Sequence, residues 1–444
     1  MRCSIFIKPI HLLVVFGLSI PLSHSHRCFR AIVIFLIFIL LPRSVYAVDT
    51  EIQTQTVITI SIHADGGEHK DKVQDMVNDF NIKHPDIRVE LRPSRGVYNY
   101  YKIVEDWVNQ GKGPSIMWWF GGSRVNKFAK QGLIHDLSEF WQKNPNRHSF
   151  PKAILNTVIF EDKFFAVPIS TNLYTLYYRK SLFKKLDIEV PTNWEQLIKT
   201  CNSLNQKNIS MFALGTKTTP WVLHGWFDYL NLRLHGLAFY KNLLSGKYSF
   251  LDDRVRSTFE HLKELIDNKC FNKDHEQHST WEVFPSILRG YSAMSLSHSL
   301  PEQVHFKNID DIGIAEFPVI NAAIPNYTVT PVDVFIVPTY TRLSNEVIKV
   351  LNFITTEAFQ LAYVEAQQHI PAIKLSQPAT DPIVKISSEI INTSPGGIQY
   401  FDREMNIEFS GITPEILVDF INNPDIDATL NKLEQLRLKV FSKK

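Results

Sequence analysis

Cysteine is scarce in this sequence, and neither sign of charge dominates. Four cysteines are spread over 444 residues, and 47 lysines and arginines stand against 45 aspartates and glutamates, a formal net charge of +2. With no basic block beyond short runs, nucleic acid is excluded as the main partner. No internal repeat and no low-complexity linker interrupts the chain, so it does not read as independent modules on a string. The signatures GxSxG, HExxH and GxxxxGK and the dinucleotide glycine triad are all missing. The chain is therefore not expected to be an enzyme, and neither a cofactor nor a metal is expected. The segment "DHEQH" offers His275, Glu276 and His278. That spacing fits a solvated polar loop better than a metal site.

What is present begins with an unusual leader. Arg27 and Arg30, the apolar run Ala31 to Leu41 and the small-residue ending Val45-Tyr46-Ala47 together read as a secretory signal peptide cut after Ala47. The run is about half of the roughly 20 residues that a membrane-spanning helix needs. The expected product is exported, soluble and periplasmic; an uncleaved membrane anchor is the alternative. Signal peptides run about 15–30 residues, so the segment upstream of residue 26 reads as a misplaced start. Two cysteines, Cys201 and Cys270, remain after cleavage. Export permits a bridge between them, and two buried thiols is the slightly favoured reading.

Length suggests roughly two to three domains, and 44% hydrophobic residues supply a sizeable core. "VITISI" at Val57 to Ile62 alternates as a strand. Lys70 to Phe80 then places Val73, Met76, Val77 and Phe80 on one helical face. A second strand, a helix over Tyr98 to Gln110, the strand Ser115 to Phe120 and a helix over Arg124 to Gln131 follow, the last with Gly132 as its cap. This β-α-β-α-β-α order implies a mainly parallel sheet wrapped by helices. Thr192 and Glu195 fit a capping box. Extended segments near Pro168 and Pro318 read as crossings between two lobes, and the last ~100 residues are mostly helical by periodicity.

Several stretches carry a resemblance: "VITISIHADGGEHKDKVQDMVNDFNIKHPDIRVEL", "GKGPSIMWWFGGSRVNKFAKQGLIHDLSEF", "FFAVPISTNLYTLYYRKSLFKKLDIEVPTNWEQLI", "RGYSAMSLSHSL" and "HIPAI". No single one is specific, but five in this order resemble the extracytoplasmic solute-binding proteins of carbohydrate ABC importers, the broad family that includes maltose-binding protein. The resemblance implies a two-lobed α/β fold of the type II periplasmic-binding-protein class, closing on a sugar held between the lobes. It assigns residues 48–164 and 316–366 to the first lobe and 165–315 and 367–444 to the second. It implies a sugar or oligosaccharide as ligand, a membrane ABC permease as partner, and a monomer. The same fold serving a membrane signalling protein is one alternative; a secreted glycan-processing enzyme is another. The chain departs from the pattern where an aromatic commonly follows the first strand, since His63, Ala64 and Asp65 stand there. It departs again after the "AM" strand, where Ser297, His298, Ser299 and Leu300 stand in place of "G-x-W".

A sugar cleft needs aromatic plates for C–H faces and polar groups for hydroxyls, because an unpaired buried hydroxyl costs about 1–3 kcal/mol. In "GKGPSIMWWFGG", Trp118 and Phe120 share one side of a strand end and Trp119 takes the other. Ligands sit beyond the carboxyl ends of such strands, so Trp118 and Phe120 are candidate plates and the Gly121-Gly122 loop a point of close backbone approach. His63, Asp65 and Glu68 lie at the same sheet edge; Glu68 equally suits the positive end of a helix. Asn172 suits an amide contact, and Trp221 suits a second plate or the core. Asp333 interrupts an apolar strand, where a buried carboxylate needs a partner, and aligns with a family position that meets ligand. Tyr400 and Asp402 complete the candidates.

Overall fold

The computed structural model describes residues 55–64, 67–94, 96–300, 309–365, 367 and 369–442. The leader, its cleavage point and Asp65 lie outside the described residues. The alternation read from the sequence becomes β1 (Thr56–His63), α1 (Gly67–Lys83), β2 (Ile87–Ser94), α2 (Val97–Gln110), β3 (Ile116–Phe120) and α3 (Ser123–Lys130). β1 buries Ile58, Ile60 and Ile62 and pairs in parallel with β2 and with β3. The sheet then takes in strands from much later in the chain. Val332–Ile336 runs antiparallel to β3 and to Val167–Thr171, and Ile370–Pro371 closes the edge. Four of these six strands point one way, so the sheet is mainly but not wholly parallel.

A second sheet, of four strands, has Ile312–Ala315, Thr175–Arg179, Ser292–Ser297 and Ser210–Phe212 in that order. Only Thr175–Arg179 is reversed within it. Each sheet has its own hydrophobic core. The first core collects residues from Ile58 to Leu173, then Val332 to Ile373, and Ile391. The second collects Tyr174 to Phe271, Ala293 to Val329, and Ile398 to Val440. Among the described residues the chain thus passes between these two larger cores three times: after Leu173, between Val329 and Val332, and between Ile391 and Ile398; a smaller cluster packs Ile383 with Tyr177, Ile287 and Ile312. Arg233 steadies the second passage from the helical segment Val222–Leu244, which is broken by a kink at Gly236, donating from Nε to the Phe317 carbonyl at 3.0 Å and from Nη1 to that of Tyr327 at 2.7 Å.

Two local expectations shift. The helix Trp194–Asn205 is capped by Asn193, whose side chain accepts from Gln196 N, rather than by the Thr192–Glu195 box; Gln196 reaches back to Thr192 N at 2.9 Å. Asn and Thr are both good caps, and Asn193 holds the extended backbone of a cap residue, with φ −138° and ψ 167°. Cys201 and Cys270 are joined in a disulfide, with Cα atoms 5.5 Å apart, and are not the free thiols favoured from sequence. A separation of 69 residues says nothing about distance in space; the packing of helix Trp194–Asn205 against the turn at Cys270 supplies it.

Candidate functional site

Where the two cores meet, side chains from β1, β3, the strand Val332–Ile336 and the short helix Phe401–Glu404 converge. His63, at the end of β1, stacks on Trp118 with centroids 5.0 Å apart. Trp118 meets Phe120 edge-on at 4.6 Å. The Arg403 guanidinium lies 4.2 Å from the Phe120 centroid and 5.1 Å from that of Tyr400. Arg403 also donates from Nη1 to Asp333 Oδ1 at 3.1 Å, while Ser170 Oγ donates to Oδ2 at 3.2 Å. The lone acid in the apolar strand therefore has both a counter-ion and a hydroxyl. Burial opposes the charge on Arg403; Asp333, with Tyr101 and Tyr400 behind it, more than offsets this and holds the guanidinium above its ordinary value.

On the second-core side Tyr400 faces Tyr174 and His298, each at 5.7 Å. His298 stands inside a cage of rings, 5.5 Å from Trp221, 5.5 Å from Trp281 and 6.0 Å from Tyr174. Burial, then the nearby Arg403 and His369, push His298 down to about 3, so it is a neutral imidazole. Its Nδ1 and the Tyr400 hydroxyl are buried with no hydrogen-bond partner among the described residues. Buried polar atoms are nearly always paired in native proteins, so two such atoms on facing rings mark a place suited to a polar guest.

His63, Trp118, Phe120, Trp221, Asp333 and Tyr400 thus fall on one continuous path of ring and ion contacts. Within it Trp118 and Phe120 are 3% and 0% exposed, and Phe120 is covered by Arg403. Asn172 lines a cavity of about 30 Å³ with His298 and Ser299. Glu68 is exposed in the first turn of α1 and pairs with Lys72 at 3.6 Å, which also reaches Glu365 at 2.8 Å. The Asp402 side chain is exposed as well, and its carbonyl accepts from Arg124 Nη2. Arg403, His298, Tyr174 and Trp281 were not among the sequence candidates. Only His298 had a signal, as a departure from the expected "G-x-W".

The glycine pair after β3 has a different neighbour from the one anticipated. A Cβ on Gly122 would lie 2.2 Å from Glu404 Oε1, and one on Gly121 would lie 2.8 Å from Gln399 Nε2. Glu404 Oε2 accepts from Ser123 N at 2.9 Å, and Ser123 Oγ donates to the Arg403 carbonyl at 2.8 Å. The backbone comes close there to receive the helix Phe401–Glu404 on the start of α3.

The larger surface hollow, about 960 Å³, lies elsewhere, on the outer face of helix Trp194–Asn205 near His261 and Val319. Among the described residues no helix is long and apolar enough to cross a membrane.

The chain resembles known proteins over most of its length. An uncharacterised ABC transporter extracellular-binding protein of Pyrococcus horikoshii is 24% identical over 347 residues, covering 75% of this chain and 76% of that protein. A multiple sugar-binding protein of Streptococcus mutans is 22% identical over 230 residues, covering 51% and 52%. Among solved structures, the bacterial solute receptor AcbH superposes with a TM-score of 0.80 at 20% identity, over 87% of this chain and 100% of its own. The sequence profile of the bacterial extracellular solute-binding proteins matches residues 66–361. That match covers about two thirds of the chain, and this chain, with its two α/β cores and the polar and aromatic seam between them, belongs to that family.

Proposed function

We propose that the protein is an exported carbohydrate receptor that traps a sugar between its two cores and delivers it to an ABC-type membrane importer. The observation that carries this reading is the ring cage around His298, with two partnerless polar atoms beside the Asp333–Arg403 pair. Aromatic faces suit sugar C–H groups, and imidazole, phenol, carboxylate and guanidinium together supply the donors and acceptors that hydroxyls need. The relatives support it: one is a multiple sugar-binding protein, and AcbH has an exclusive preference for β-D-galactopyranose. The sugar contacts proposed are His63, Trp221, His298, Asp333, Tyr400 and Arg403. The two cores act as lobes, and the bending points are the passages after Leu173, before Val332 and before Ile398.

The test is a thermal-shift screen of the exported protein against neutral mono- and oligosaccharides. A ligand at 100 times its Kd stabilises the folded state by about 2.7 kcal/mol, so a cognate sugar raises Tm by a few degrees. A panel in which amino acids or polyamines shift Tm and no sugar does would overturn the reading.

A further inference from the structure

Asp333 comes from a strand of the first core and Arg403 from a helix of the second, yet they meet at 3.1 Å. Both are largely buried, with side chains 12% and 22% exposed. Phe120 and Tyr400 lie against the guanidinium and fix its plane. Among the described residues Arg403 spends one side-chain N–H on a hydrogen bond, of the five it carries. The Asp333 carboxylate accepts two bonds and has lone pairs left. A donor set and an acceptor set therefore stand side by side where the two cores meet.

We infer that this pair is the charge filter of the site, selecting neutral sugars with adjacent free hydroxyls and rejecting acidic sugars, an inference that rests on the carbohydrate reading above. Each hydroxyl is both donor and acceptor. Of two neighbouring hydroxyls, one donates to Asp333 and the next accepts from Arg403, so both charges stay satisfied. A uronate carboxylate only accepts. It would serve Arg403 but set a second anion against Asp333 in a poorly hydrated place, where like charges are costly. His298, across Tyr400 from the pair, is held neutral by burial and adds no compensating charge. The partnerless His298 Nδ1 and Tyr400 hydroxyl likewise fit a ligand group that can both give and take a proton. A latch that merely held the lobes together would make a different statement: losing it would weaken every sugar alike.

The experiment is isothermal titration of the exported protein and its Asp333→Asn and Arg403→Lys variants. The ligands are D-galactose paired with D-galacturonate and D-glucose paired with D-glucuronate, as free sugars and as disaccharides. Hydrogen bonds to charged groups are worth about 1.5–3 kcal/mol, or roughly tenfold to a hundredfold in affinity. Wild type is expected to prefer the neutral member of its pair by at least about tenfold. Asp333→Asn leaves Arg403 uncompensated, so the neutral-to-acidic preference should fall by about tenfold or more, through weaker neutral and stronger acidic binding. Arg403→Lys keeps the charge and loses the planar fork, so affinity falls while the preference for neutral sugar survives. Equal weakening of both members by Asp333→Asn, or a wild type that prefers the uronate, overturns the filter and leaves the carbohydrate reading standing. Binding of none of these sugars by folded wild type, with other solutes bound, overturns the carbohydrate reading and the filter with it.

Discussion

Phe120 and Trp118 show how access and burial compete at one strand end. Both rings are nearly inaccessible, and their neighbours are mostly other rings of the first core. Phe120→Ala or Trp118→Ala is therefore expected to cost about 3–5 kcal/mol of stability, measured by denaturant unfolding. A loss below about 1 kcal/mol with a large fall in sugar affinity would return these rings to the role of open plates. Gly122 is a second residue-scale case. Its φ is +68°, and an added methyl would strike Glu404 Oε1. Gly122→Ala should cost about 1–3 kcal/mol and loosen the docking of Phe401–Glu404 on α3, seen as faster amide exchange at Ser123. The sequence marked this glycine pair as a place of close approach, and that much was legible. What approaches it was not, because Glu404 is brought there only by the third passage between cores. Arg403 was hidden for the same reason, and His298 showed only as a departure from "G-x-W"; the surroundings of both are built from distant strands and helices.

Elements were legible where a period was clear. β1 to α3 could be read because the hydrophobic pattern switches from alternation to helical spacing and back, while the order of strands in the sheet could not, since Val332–Ile336 is inserted beside β3 from the far end of the chain. The helical segment Val222–Leu244 carries a prediction of its own in its first half, before the kink at Gly236. His224 stacks on Phe401 at 4.4 Å, and neither ring nitrogen has a partner among the described residues. Burial lowers its pKa from 6.5 to about 4, with Asp402 acting weakly the other way. A group depressed in the folded state stabilises fully above its unfolded pKa and loses that contribution as pH falls toward the folded value. Stability should thus decline between about pH 6.5 and pH 4, by up to about 3 kcal/mol from this residue, and His224→Leu should flatten the decline in urea melts recorded across that range. An unchanged slope would remove His224 from the account. The disulfide is the other device at this scale. Loop closure over 69 residues corresponds to about 4 kcal/mol in the chain-entropy description. Reduction, or Cys201→Ala with Cys270→Ala, should lower stability by up to that amount, and alkylation of two thiols without reduction would contradict the bridge.

For the whole molecule, two cores with three passages between them are suited to bending as lobes, and many of the contacts that join them are polar: Arg403 to Asp333, Glu404 to Ser123, Ser123 to the Arg403 carbonyl, Gln399 to the Val332 backbone and Arg124 to the Asp402 carbonyl. Interfaces of this kind open readily, and a ligand that touches both lobes shifts the balance by its difference in affinity for open and closed forms. The resemblance read from sequence placed the lobe boundaries at residues 164, 315 and 366, whereas the core membership changes after Leu173, Val329 and Ile391; extended crossing segments carry no periodicity that fixes where one core ends. The most direct measurement is small-angle scattering of the exported protein with and without a saturating sugar identified by the thermal screen. A smaller radius of gyration is expected with sugar bound, and a scattering curve unchanged by a sugar that demonstrably binds would contradict closure of the lobes.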